Sequence, residues 1–150
     1  MKKILIVFAI VIALLTTYWL ISPLFIEKKV SEKLENIMPR SLEEKPQIVA
    51  SGNFSGLDGH QAGGKASLIR SRSNYYVRFE EDFKVTNGPD LFVYLGKNGK
   101  YAPETQIASL KGNIGSQNYE IPRSIDVNNY DEVWVWCRAF SVPFGKAVLR

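Results

Sequence analysis

The chain has 150 residues, 45% of them hydrophobic, and a formal net charge of +4 at pH 7. Two of its 19 basic residues, Lys2 and Lys3, precede a long apolar segment, which leaves 17 basic against 15 acidic residues after it. These are interspersed and form no basic stripe, which sets nucleic acid aside as a partner. The single cysteine excludes an intramolecular disulfide, and the length leaves room for one small domain.

Residues 1–3 read as a short cytoplasmic lead. From Ile4 to Ile26 no residue is charged, and a helix of that length spans roughly 34 Å, enough for a bilayer core of about 30 Å. The expectation is a single transmembrane helix over residues 4–26, with the lipid bilayer as its partner. A cleavable signal peptide is the alternative, but ISPLFIEKKV offers no small-x-small cleavage site. Tyr18 and Trp19 suit an interfacial aromatic belt. Lys28, Lys29 and Lys33 outnumber Lys2 and Lys3, which runs against the positive-inside count. The signal-like start nevertheless favours a cytoplasmic amino end, a single-pass protein of the cell membrane and an extracytoplasmic C-terminal domain.

Residues 27–46 are expected to form a helical stalk or linker. Val30, Leu34 and Ile37 fall at i, i+4 and i+7 on one helical face, and Pro39 and Pro46 bracket a hinge. From residue 47 the pattern changes to short β-rich runs separated by turn residues, with no amphipathic helix of useful length. Strands are expected over residues 48–54, 64–71, 75–79, 91–95, 106–110, 117–121, 133–140 and 146–149. The turns LDGH, SRSN, TNGPD and GKNGK separate many of them. About eight short strands in residues 47–150 predict an all-β fold, a single small β-sandwich or barrel.

Alternation assigns faces in the strand VWVWCR: Val133, Val135 and Cys137 point one way, and Trp134, Trp136 and Arg138 the other. Both faces are apolar, so this strand is expected at the centre of a sheet. A cysteine in such a place is by default a small hydrophobe.

Four segments taken together, GNFSGLDGHQAGGKASL, YYVRFEEDFKVTNGPDLFVYLG, LKGNIGSQNYEIP and VWVWCRAFSVPFGKAVL, resemble the DM-thirteen domain family, a small extracellular β module described as an electron-transfer domain. The resemblance covers nearly the whole of residues 47–150. It implies a β-sandwich akin to DOMON-type redox domains, with a characteristic cysteine at Cys137 and a GH motif at Gly59 and His60. It also implies electron transfer or binding of a redox cofactor, a metal or haem, with an envelope redox protein as partner.

Thiolate is a soft ligand, so Cys137 is the first candidate for such chemistry, and His60, the only histidine, is the second. One Cys and one His fall short of the usual copper set, so a further ligand would come from Asp58, Asp90, Met38 or water. Trp136 is a supporting candidate beside the thiol. The bland alternatives are a packed core thiol, a turn histidine and a structural Asn87-Gly88-Pro89-Asp90 turn, in which Asp90 bonds the turn amides. The loop Lys111–Asn118 lacks the helix that follows a P-loop, which argues against phosphate. No catalytic constellation is evident, and an enzyme is not expected. The competing function is a cofactor-free cell-surface module that binds a protein or glycan through its loops.

Overall fold

The computed structural model describes residues 2–37 and 45–150, and the side chains of all of these except residues 19–20 and 23–25. Helix α1 spans Lys2–Phe25. Its described apolar side chains, among them Ile4, Phe8, Leu14 and Tyr18, are exposed. Among the described residues no helix is long and apolar enough to cross a membrane.

The expected helical stalk does not form over its described first part. Residues 28–33 lie alongside the loop at 113–116, with a parallel bridge between Lys29 and Ile114. Only Leu34–Ile37 turns, as a short 3-10 helix. Backbone pairing explains the difference: the Val30 N–H donates to the Ile114 carbonyl and the Glu32 N–H to the Ser116 carbonyl, each at 2.9 Å, and a helix would withdraw both groups. Met38 and Pro39 lie outside the described residues.

Eleven strands follow: β1 (Gln47–Gly56), β2 (Ala62–Gly63), β3 (Lys65–Ser71), β4 (Asn74–Phe79), β5 (Lys84–Val85), β6 (Leu91–Lys97), β7 (Lys100–Tyr101), β8 (Ala108–Ser109), β9 (Gln117–Glu120), β10 (Glu132–Cys137) and β11 (Val142–Val148). The turn residues foreseen from sequence act as expected. Asn98 and Gly99 take φ of 54° and 76° between β6 and β7, the left-handed pair that closes a two-residue hairpin. The strand expected over 106–110 shrinks to β8, because Pro103 starts a 3-10 turn (Pro103–Thr105) whose Thr105 hydroxyl, fully buried, bonds the Leu95 backbone. The strand expected over 133–140 ends at Cys137. Arg138–Ser141 form a turn, with Ser141 at φ 54° and Phe140 exposed.

The all-β class holds for residues 47–150, but the expected sandwich of two separate sheets is replaced by one curled antiparallel sheet. Its order is β7-β6-β10-β11-β1-β3-β4-β9, with β8 also on β6, and β2 and β5 form a separate ribbon. Strand β1 is the shared element. Residues from Gln47 to Asn53 pair with β3, and Phe54, Ser55 and Gly56 pair with Ala147, Lys146 and Gly145 of β11. The sheet therefore bends round one core as a half-barrel. Phe54, Phe79, Phe83 and Tyr119 pack there edge-on and tilted, with centroids 4.4–5.3 Å apart.

Candidate functional site

Strand β10 lies between β6 and β11, the central position its two apolar faces predict. Val133, Val135 and Cys137 are fully buried in the core. Cys137 ends the strand, opposite Leu91 of β6 on one side and Val142 of β11 on the other. The thiol is free and packed among apolar side chains, the setting of a small core hydrophobe.

The opposite face of β10 carries an aromatic cluster. Trp136 stacks on Tyr101 of β7 at 3.8 Å between centroids, and Tyr101 in turn meets Tyr94 at 5.4 Å and Trp134 at 6.5 Å. Glu132, buried at one end of the strand, anchors this face. Its carboxylate accepts hydrogen bonds from Lys146 Nζ (2.9 Å), Trp134 Nε1 (3.0 Å) and the Gly99 N–H (3.0 Å). Burial pushes the Glu132 carboxyl up, but those three donors and the Lys146 charge outweigh it and hold the pKa below the usual carboxylate value. Sequence reading passed over Tyr101 and Glu132. The Asn98-Gly99 hairpin was the available signal, since it folds Tyr101 back beside β6.

At the other end of β10, Arg138 reaches Asp90 (Nε–Oδ2 3.2 Å, Nη2–Oδ1 3.3 Å) and lies 3.7 Å over the Phe92 ring. Asp90 is thus an ion-pair partner and, through its carbonyl, an acceptor for the Arg138 N–H. The expected bonding of its carboxylate to turn amides is replaced by this pair. Asp90, Leu91 and Phe92 line a cleft of about 450 Å³ that is also lined by Ser22 of α1 and by Ile26, Glu27 and Lys28 just after that helix. The Asn87 side-chain amide donates to the Ile26 carbonyl across it. Since Leu91 is the register partner of Cys137, the thiol sits at the end of the sheet that faces α1.

His60 follows a tight turn in which Asp58 and Gly59 both have positive φ, and its N–H donates to the Leu57 carbonyl. The half-buried ring lies flat on buried Phe144, with centroids 3.6 Å apart and planes 10° from parallel. Asp58 and Gly59 are exposed. The contacts of His60 are therefore with Leu57 and Phe144, and those of Asp90 with Arg138, while Cys137 is enclosed by its own strand neighbours.

The loop 111–118 is a structural device. Fully buried Gln117 accepts from the Gly112 N–H (3.0 Å) and the Tyr119 hydroxyl (2.6 Å), and donates to the Gly112 and Gly115 carbonyls. Gln117 thus satisfies backbone groups of its own loop, and burial raises the Tyr119 phenol pKa well above its usual value.

Among the described residues no group of three or more His, Cys, Asp or Glu side chains could hold a metal ion. With Asp90 paired to Arg138, His60 laid against Phe144 and Cys137 enclosed, this donor set does not fit a metal or haem centre at the thiol. Among known families, the model described as "Electron transfer DM13" matches residues 53–149. No curated protein and no solved structure matches the chain.

Proposed function

Because the chain belongs to the electron-transfer DM13 family, we propose that it is a membrane-anchored, extracytoplasmic module that exchanges electrons with an envelope redox partner through strand β10. Cys137 is the redox residue in this reading, and the Trp136–Tyr101 stack is its contact with the surface. The observation that carries it is the strand itself: Cys137 in the dry interior is followed back by Trp136 on the outer face, and Trp136 lies on a second oxidisable ring 3.8 Å away. Sulfur is polarizable and readily oxidised, and stacked π-systems give close electronic contact to the surface. In the oxidising step the Cys137 thiol gives one electron to the partner and its proton to solvent, leaving a thiyl radical, and re-reduction returns both.

Although no described helix is long and apolar enough to cross a membrane, the reading of an anchor rests on the sequence, uncharged from Ile4 to Ile26, and on the exposed apolar side chains described in α1. The end of the sheet that holds Cys137 and Arg138 faces the end of that helix, which would keep the thiol near partners in the same membrane. The amino terminus lies in the cytoplasm in this arrangement.

The complete burial of Cys137 between Leu91 and Val142 favours a second reading, a cofactor-free module that binds a cell-surface protein or glycan and uses the thiol only as core. Metal and haem analysis with an absorption spectrum, oxidised and reduced, on the full chain from a membrane fraction separates these. A metal-free protein with a reversible redox change that is lost in Cys137→Ser supports the first. A protein without redox response, folded alike in both forms, supports the second. Stoichiometric metal or haem lost in Cys137→Ser would relocate the electron to a cofactor on the sulfur.

A further inference from the structure

The loop 111–118 and Arg78 hold residues 28–33 through both main-chain and side-chain hydrogen bonds. Lys28, Val30, Glu32 and Lys33 of this strap are each held. The Lys28 N–H donates to Asn113 Oδ1 at 2.6 Å. The Val30 and Glu32 N–H groups pair with the Ile114 and Ser116 carbonyls, and the Glu32 carbonyl accepts from Ser116 Oγ at 2.9 Å and Arg78 Nη1 at 3.1 Å. The Lys33 carbonyl accepts from the Asn118 side-chain amide at 3.0 Å.

One side chain is read as well. Both oxygens of the Glu32 carboxylate take Lys111 Nζ, at 2.8 and 2.9 Å, and one also takes the Asn118 N–H at 2.7 Å. Two glycines make the close approach feasible: a Cβ on Gly112 would collide with the Lys28 carbonyl, and one on Gly115, which also has φ +91°, with the Val30 carbonyl. The receiving groups fall within the family match at residues 53–149, and the strap falls outside it.

We propose that this surface is a peptide-binding groove for an extended segment carrying a glutamate at the Glu32 position, and that the strap is its resident occupant in cis. Main-chain pairing supplies affinity and the Lys111–carboxylate pair supplies selectivity, the division of labour of strand-addition recognition. A segment of the same chemistry from another protein competes with the strap, and its entry frees the domain from the end of α1. The strap is held at high effective concentration by its own chain, so the groove stays closed to weak competitors.

The test uses the full chain in detergent, with a fluorescein-labelled peptide of residues 27–37 as probe. The Glu32→Lys chain, whose own strap is repelled by Lys111, is expected to bind the probe saturably and at least tenfold more tightly than the native chain does. The same probe bearing Glu32→Lys should bind that variant at least tenfold more weakly. Equal binding by both chains, or none by a variant that keeps native tryptophan emission, would overturn the proposal. Should Glu32→Lys misfold, hydrogen exchange on Glu32→Gln decides. Faster exchange at the Val30 and Glu32 amides, with the Gly115 amide still protected by its bond to the Phe83 carbonyl, supports the groove; unchanged protection contradicts it.

Discussion

Trp136 lies on Tyr101 with ring centroids 3.8 Å apart and planes 20° from parallel, across the strand whose other face ends in Cys137. Such a pair adds about 0.5–1.5 kcal/mol beyond its buried area. Tyr101→Leu is therefore expected to cost about that much in urea unfolding. If the stack carries electrons to the surface, the same variant slows oxidation of the reduced protein by ferricyanide, and Phe140→Leu, in the exposed turn after β10, does not.

Cys137 is fully enclosed opposite Leu91 and Val142. A hydroxyl there would have to find a partner among apolar neighbours, so Cys137→Ser should destabilise the domain by about 1–3 kcal/mol. Thiol labelling of the native protein should be slow and should accelerate as denaturant is added, whereas fast labelling without denaturant would contradict the packing described here.

Glu132 gathers three donors in a nearly closed site, so its removal strands Lys146 and the Trp134 indole N–H together. Breaking a buried pair from one side costs about 3–5 kcal/mol, and the partial exposure of Lys146 puts the expected loss for Glu132→Ala at the lower end. Trp134 emission should shift to the red in the folded variant, because its ring also sits beneath Lys146.

Acid should loosen both ends of the molecule. Burial raises the carboxyl pKa values of Glu32 and Glu132, but for Glu32 the bonds from Lys111 and the Asn118 N–H, and the charges of Lys111 and Arg78, outweigh it; Glu132 is likewise net lowered. A folded-state pKa below the unfolded one means stability that is fully present above the ordinary carboxylate pKa near 4.5. It is lost progressively as pH falls through the folded values. Unfolding midpoints should be flat from pH 7 to about pH 5 and drop below that, with Glu32→Gln showing a shallower drop.

The parts of the fold legible in sequence are those set by local pattern. Strand β10 alternates with period two and is apolar on both faces, so its central place and the inward side of Cys137 could be read directly. The sharing of β1 between β3 and β11 could not, since pairing partners depend on which distant strands reach it. The strap misled for a different reason. Val30, Leu34 and Ile37 fall at helical spacing, but what holds this stretch is main-chain pairing with residues 113–116 and the Glu32 carboxylate, neither of which leaves a hydrophobic periodicity. At the candidate site, His60 was recognisable as a residue presented by a tight turn. Its seat on Phe144, more than eighty positions later in the chain, is a tertiary contact that no spacing announces.

The most direct measurement of the proposed function is the voltammetric current of the full chain on an electrode, for the native protein and for Cys137→Ser shown to be folded by its tryptophan emission. A reversible one-electron wave in the native protein that disappears in Cys137→Ser is the predicted result. An identical trace from both proteins, with or without a wave, would contradict electron transfer through the cysteine.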